Sequence, residues 1–317
     1  MKQLSICLTT CLFALLSIVA QAQHPPLVFT PQWMPQSQFA GFYVAMEKGF
    51  YQEAGVDVII QHPSSSNSAI NKLRQGKCHA ITLQLIQAMK LVDGGMPLVN
   101  VLQTSQNNSL MLVAHRPIHC LDSLRGKKVG RWKAGFDELA QMLDKEKKLQ
   151  IVWVPFLQSV NLFISKAIDA TLVMSYNEYF QLLSSGVKLS PEGTFRFSEM
   201  GYNIPEDGLY VTRNYYAAHT EQVRRFARAS RRGWEWAAAH PKETLDIVMR
   251  FTKDYQVNTN RTHQQWMLKE IIELQRKKSN HKAIFTLDPA DFQLANKVLL
   301  HGGFIRQAIS LNTFIGQ

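Results

Sequence analysis

Apolar positions along this chain alternate between short continuous runs and helical spacing. Residues 27–30, 56–60, 79–83, 98–104 and 110–115 read as strands. Between them, residues 39–48, 67–75 and 86–93 carry helical spacing, and Gly49, Gly76 and Gly94-Gly95 mark their stops. The pattern restarts at Ser123-Leu124-Arg125-Gly126-Lys127-Lys128-Val129-Gly130, with strands at 128–131, 151–154 and 170–174 and helices at 137–147, 160–166 and 177–184. Residues 208–212 read as a strand returning to the first set. The remainder is helical: 221–239, 241–251, 263–275 and 289–301, with Pro241 and Pro289 placed for a first helical turn. Alternating strands and helices predict an α/β fold in two lobes, each a sheet flanked by helices. Lobe I is assigned to 23–116 and 208–317, and lobe II, inserted into it, to 117–207. The two chain crossings are placed near 115–121 and 204–209, forming a two-strand hinge with a ligand cleft between the lobes.

The amino terminus changes where the protein is expected to work. Lys2, an apolar core over 12–20 and the small-residue site Ala20-Gln21-Ala22 form a secretory signal peptide, cleaved after Ala22. The apolar run is short for a membrane span. No cysteine stands at the cleavage point, against a lipid-anchored form. The expected location is therefore the periplasm, with the mature chain soluble.

The formal charge of +11 would ordinarily suggest nucleic acid. An exported protein rarely meets that partner, and the basic residues are scattered or helical. Arg224, Arg225, Arg228, Arg231 and Arg232 interleave with Val223, Phe226, Ala227 and Ser230, describing an amphipathic helix with a solvated basic face. Docking on a partner or an anionic membrane is the alternative. Outside the leader, Cys78 and Cys120 are assigned to different lobes and expected as free thiols. There is no CxxC and no His/Cys cluster at zinc spacing, so no metal or cofactor is implied. No histidine pairs with a Ser or Cys in a nucleophile motif, and Glu206-Asp207, in a PEDG turn, reads as hinge chemistry.

The residues QWMPQSQFAGFYVAMEKGFYQEAGVDV, SLRGKKVG, YNEYFQLLSSGV and IPEDGLYVT, in that order over nearly all of the chain after the leader, resemble the thiamine-pyrimidine-precursor-binding (NMT1/THI5-like) family. The resemblance implies a type II periplasmic binding protein serving an ABC permease, free-standing and monomeric. The implied ligand is an aminopyrimidine of the hydroxymethyl or formylamino type. Another small solute (sulfonate, nitrate, aromatic acid) and a sensor subunit for a membrane kinase are the competing readings. The family also contains a yeast-type pyrimidine synthase. Its lysine and histidine positions are occupied here by Leu83 and Gln87, and no cysteine lies near the second crossing, so an enzyme is not expected.

A flat aminopyrimidine needs an aromatic face and acceptors for its exocyclic amine. Trp33, between Pro31 and Pro35 at the carboxyl end of the first strand, is the first candidate; a core tryptophan is the alternative. Gln32 and Gln38 can hydrogen-bond ring nitrogens or remain solvated loop amides. Phe39 stands where many relatives have histidine. Gln84, at the end of strand 79–83, faces the cleft or caps the next helix. Trp132 bears the same relation to the second sheet as Trp33 to the first, so the two indoles could sandwich a ring. Residues 135–138, Gly135 through Glu138, open a helix whose amides could hold a polar group, or Asp137 simply caps it. Tyr176, Asn177 and Glu178 follow strand 170–174, with Glu178 the carboxylate for an exocyclic amine and Asn177 equally an N-cap. Tyr202 and Asn203 are weaker candidates.

Overall fold

The computed structural model describes residues 25–316 apart from positions 65, 119, 134–135, 157–158 and 278–280. The leader and Gly135 lie outside the described residues. Among the described residues, ten strands form two five-stranded sheets: β1 (Leu27–Thr30), β2 (Val58–Ile60), β3 (Ala80–Gln84), β4 (Leu98–Gln103) and β10 (Asp207–Thr212) in the first, ordered β2-β1-β3-β10-β4. The second holds β5 (Leu110–Ala114), β6 (Lys128–Trp132), β7 (Val152–Phe156), β8 (Ala170–Met174) and β9 (Thr194–Arg196), ordered β7-β6-β8-β5-β9. In each sheet three parallel strands are followed by one antiparallel strand, β10 beside β3 and β5 beside β8. The arrangement is a two-lobed α/β fold.

The continuous apolar runs now have their reason. β3, β5 and β8 are buried along their whole length, as strands covered on both faces must be. Such a run does not disclose which sheet receives it, and here the expectation needs correcting. Strand Leu110–Ala114, assigned to lobe I, pairs with β8 and β9 in the second sheet. The chain therefore leaves the first sheet after Gln103, not near residue 116. It returns at Asp207. The linkers, 104–109 and 203–206, are cross-bonded: Asn108 N donates to Asn203 Oδ1 at 2.9 Å and Asn108 Nδ2 to the Ile204 carbonyl at 3.1 Å. β9, an edge strand of three residues, had no signal in the sequence.

Helix Thr220–Ala239 behaves as its pattern demands. Val223, Phe226, Ser230 and Trp234 are buried, while the arginine face is exposed and ion-paired, Arg231 to Glu235 at 2.8 Å and Arg232 to Glu53. It crosses helix Ala40–Glu47 at glycines. A Cβ on Gly233 would lie 2.1 Å from the Gly41 carbonyl oxygen, so the close approach requires both residues to lack side chains. Gly49, at φ 75°, ends the short helix and restarts the next turn at Phe50. Cys78 is buried, Cys120 is exposed, and both are free thiols.

Candidate functional site

A cavity of about 520 Å³ lies between the sheets, lined from both of them and from the helical C-terminal part. Trp33 reaches it from the loop after β1, and Trp132 from the last position of β6. Gln32, Gln38 and Gln84 line it from the first lobe, and Tyr176, Asn177 and Glu178 from the second. These positions follow from strand direction: β1, β3, β6 and β8 all present their carboxyl ends to the same gap.

The Trp33 loop is held from beneath. His62 Nδ1 lies 2.6 Å from the Trp33 carbonyl oxygen, and its Nε2 lies 2.9 Å from the Tyr43 hydroxyl. A carbonyl only accepts, so Nδ1 carries the proton, and Nε2 accepts from the tyrosine. The ring is neutral: burial pushes its pKa down to about 4. Ser37 ties the same loop to helix Arg261–Leu274, its amide donating to Gln264 Oε1 at 2.7 Å and its hydroxyl to the Gln264 carbonyl at 2.8 Å.

In the second lobe, Trp132 and Glu178 support each other. Glu178 Oε1 accepts from Trp132 Nε1 at 3.3 Å and from Asn177 Nδ2 at 2.9 Å, and Oε2 accepts from the Met174 amide at 3.1 Å. Burial raises the Glu178 pKa against these bonds, which pull it down. Asn177 does not cap the helix through its side chain, so its amide is spent on the carboxylate and on Gln181. Gln84 likewise makes no cap bond to the helix it precedes. Asp207, opposite Gln84 in the register of β10 and β3, accepts from Gln32 Nε2 at 2.8 Å and Gln38 Nε2 at 2.7 Å. Burial lifts its pKa to about 6, and the two amides hold it from rising further. The neighbouring Glu206, lifted to about 8 by burial, accepts from the Ser109 amide at 2.9 Å and hydroxyl at 2.6 Å.

Four expected candidates do not line the cavity, Phe39 and Glu138 foremost among them. Phe39 is 0% exposed; it closes the 3-10 turn Ser37–Phe39 with its ring in the core, 5.9 Å from His62. Glu138 is bonded to Lys90 across the lobes at 2.7 Å and lines a small crevice beside the hinge instead of the cavity. Asp137, offered as a helix cap, pairs with Arg131 at 2.9 Å. Asn203 is a linker residue. Tyr202 is not among the cavity-lining residues.

One wall of the cavity was missed altogether. Residues 257–260, His263 and Gln264 come from the start of helix Arg261–Leu274, far along the chain from the other lining residues. The available signal was the Asn258-Thr259-Asn260 turn, in which Asn260 caps the helix by accepting from the His263 amide at 2.9 Å. This helix bridges the lobes: Trp266 Nε1 donates to the Ser175 carbonyl at 2.9 Å, and Phe180 stacks on both Trp266 and His263. Burial lowers the His263 pKa. Among the described residues, the lining contains no Lys or Arg; Arg131 is paired to Asp137, and Arg74 bonds Asn71 at the surface.

Residues 36–244 match the family model described as NMT1/THI5 like. The chain belongs to the NMT1/THI5-like family. Among curated relatives, the NMT1/THI5-like chain is 23% identical over 250 residues to the riboflavin-binding protein RibY of Chloroflexus aurantiacus, covering 75% of this chain and 70% of that protein. It is 26% identical over 232 residues to the formylaminopyrimidine-binding protein of Halalkalibacterium halodurans, covering 68% of each. Its fold matches the periplasmic aliphatic sulphonate binding protein SsuA of Escherichia coli at TM-score 0.66 and 14% identity, over 93% of both chains. Among the described residues, no helix is long and apolar enough to cross a membrane, and no group of three or more His, Cys, Asp or Glu could hold a metal ion.

Proposed function

We propose that this protein captures a small planar nitrogen heterocycle outside the cytoplasm and delivers it to an ABC-type importer. The ligand class we favour is a thiamine-related aminopyrimidine. One observation carries the reading: the cavity takes an indole from each lobe, Trp33 and Trp132, and sets the Glu178 carboxylate beside the second of them. Aromatic faces suit a flat ring, and a buried carboxylate suits an exocyclic amine. With no Lys or Arg among the described lining residues, a sulfonate or nitrate would have to be held by neutral donors alone, which favours an uncharged ligand. Two relatives named for heterocycle binding support the same class.

In this reading the protein is a periplasmic monomer that works by closure of its lobes, without covalent chemistry. Closure requires that ligand bind the closed form better than the open one. A second reading is a flavin-sized tricycle. The cavity volume, within the ordinary range for drug-sized ligands, exceeds what one pyrimidine needs, and one relative is named for riboflavin. Titration with 4-amino-5-hydroxymethyl-2-methylpyrimidine, its formylamino relative and riboflavin, read by tryptophan fluorescence and melting temperature, separates the two. Quenching and a raised melting temperature with either pyrimidine support the first reading, and a response to riboflavin alone supports the second. Flat curves with all three would sink both.

A further inference from the structure

Gln32, Gln36 and Gln38, three of the glutamines at the first-lobe end of the cavity, do not face at random. The Asp207 carboxylate sits buried at the start of β10, with its own carbonyl pinned by the Thr104 and Ser105 amides at 3.0 and 2.9 Å. Each carboxylate oxygen takes one side-chain amide, Gln32 Nε2 at 2.8 Å and Gln38 Nε2 at 2.7 Å. An ionised carboxylate accepts and cannot donate, so both amides must turn their NH2 groups toward it. The choice then propagates. Gln38 Oε1, now facing away from Asp207, accepts from Gln36 Nε2 at 2.5 Å, which turns the Gln36 oxygen away from Gln38 in its turn. Gln32 is anchored through its backbone amide to Thr82 Oγ1 at 2.9 Å, and its side-chain oxygen is buried with no partner.

We propose that Asp207 is a positioning residue that sets the orientation of the cleft amides, leaving Gln32 Oε1 as the unpartnered acceptor at this end, so that the cavity selects ligands bearing N–H donors over their oxo counterparts. The claim rests on the heterocycle-binding reading and deepens it. An amide flipped end for end has nearly the same shape, so packing alone would leave Gln32 free to present either end. The carboxylate removes that freedom. An oxo ligand then meets an oxygen where an amino ligand meets an acceptor, and a buried unpaired acceptor is left on each side. Glu178, an acceptor when ionised, stands on the opposite lobe, so both walls ask for donors.

The test compares 4-amino-5-hydroxymethyl-2-methylpyrimidine with its 4-oxo analogue on the wild-type protein and on the isosteric Asp207→Asn. The wild type should favour the amino ligand by about 100-fold, and Asp207→Asn should narrow the ratio to below about 10-fold, because an asparagine amide can donate and lets one glutamine turn over. A ratio unchanged in Asp207→Asn overturns the proposal. In ligand-free protein, the side-chain NH2 resonances of Gln32 and Gln38 should move in the Asp207→Asn spectrum. Should they stay in place, the orientation claim fails whatever binds. If neither pyrimidine binds the wild type, the assigned ligand is wrong, and the resonances alone decide the positioning role. If Asp207→Asn does not fold, Gln32→Met replaces it: a lost preference for the amino ligand supports the proposal, and an intact one overturns it.

Discussion

Behind Trp33, the first sheet is backed by interlocking rings: Phe29 on Phe42 at 4.7 Å, Phe42 edge-on to Trp234 at 5.9 Å, and Tyr43 stacked on Phe251 at 4.1 Å. Behind Trp132 the second sheet is thinner. On one face it joins the main core, but on the other it is covered by a small cluster around Met111, Val113, Phe163 and Val173. Its edge strand β7 leaves Val152 50% exposed. The two jaws share a strand order and differ in what makes them rigid. The first is set by packing, and the second by hydrogen bonds converging on Glu178. Interiors packed at crystal density transmit strain, so the first lobe should be the less forgiving of added volume.

The largest effect expected is on that packing. Gly233→Ala should cost about 3 kcal/mol in denaturant unfolding, because the new Cβ meets the Gly41 backbone, which cannot turn aside. A variant as stable as wild type would show that the helix crossing is looser than drawn. On the ligand, Trp33→Ala and Trp132→Ala should each weaken binding by about 30-fold, or about 2 kcal/mol. Calorimetry that finds only one of them sensitive would mean one jaw grips alone.

The hinge supplies a third break. Glu206 and Asp207 have folded-state pKa values raised to about 8 and about 6, so the folded protein holds protons that the unfolded chain releases from near pH 4 upward. Stability on this account is full below about pH 4, falls as pH rises, and levels off above about pH 8. The slope is at most about 1.4 kcal/mol per pH unit for each group. Glu206→Gln should flatten the part between pH 6 and 8; a slope there that survives the substitution would place the proton elsewhere. The smallest effect belongs to Gly130→Ala in β6, where the added Cβ meets the ends of the Ile168 and Thr171 side chains at 2.8 Å. These can give, and the net cost should stay within about 1 kcal/mol. A cost equal to that of Gly233→Ala would erase the contrast between the lobes.

The alternation of strands and helices was legible because both periods are local. Lobe membership was not, since Leu110–Ala114 is apolar on both faces whichever sheet takes it. That Trp33, Trp132, Gln32, Gln84 and the Tyr176–Glu178 turn line the cavity was findable because the strand ends of α/β sheets face such gaps. Phe39 was placed by likeness to relatives, but its turn aims it into the core. The 257–264 wall stayed hidden because nothing local says that a C-terminal helix will lie across the mouth. Asp207 read as part of a turn; only the register of β10 against β3 sets it opposite Gln84 and under the glutamines.

Helix Pro289–Gly302 packs against helix Glu138–Lys147 of the second lobe and helix Leu85–Asp93 of the first. The halves are thus strapped by this helix as well as by their two linkers and helix Arg261–Leu274. A swing of the lobes would have to slide along that helical face or carry it off bodily, a resistance that flexing loops alone would not offer. Shaving the strap by substitutions on its buried side, at Phe292 or Leu299, should therefore loosen the gape without touching a residue that lines the cavity.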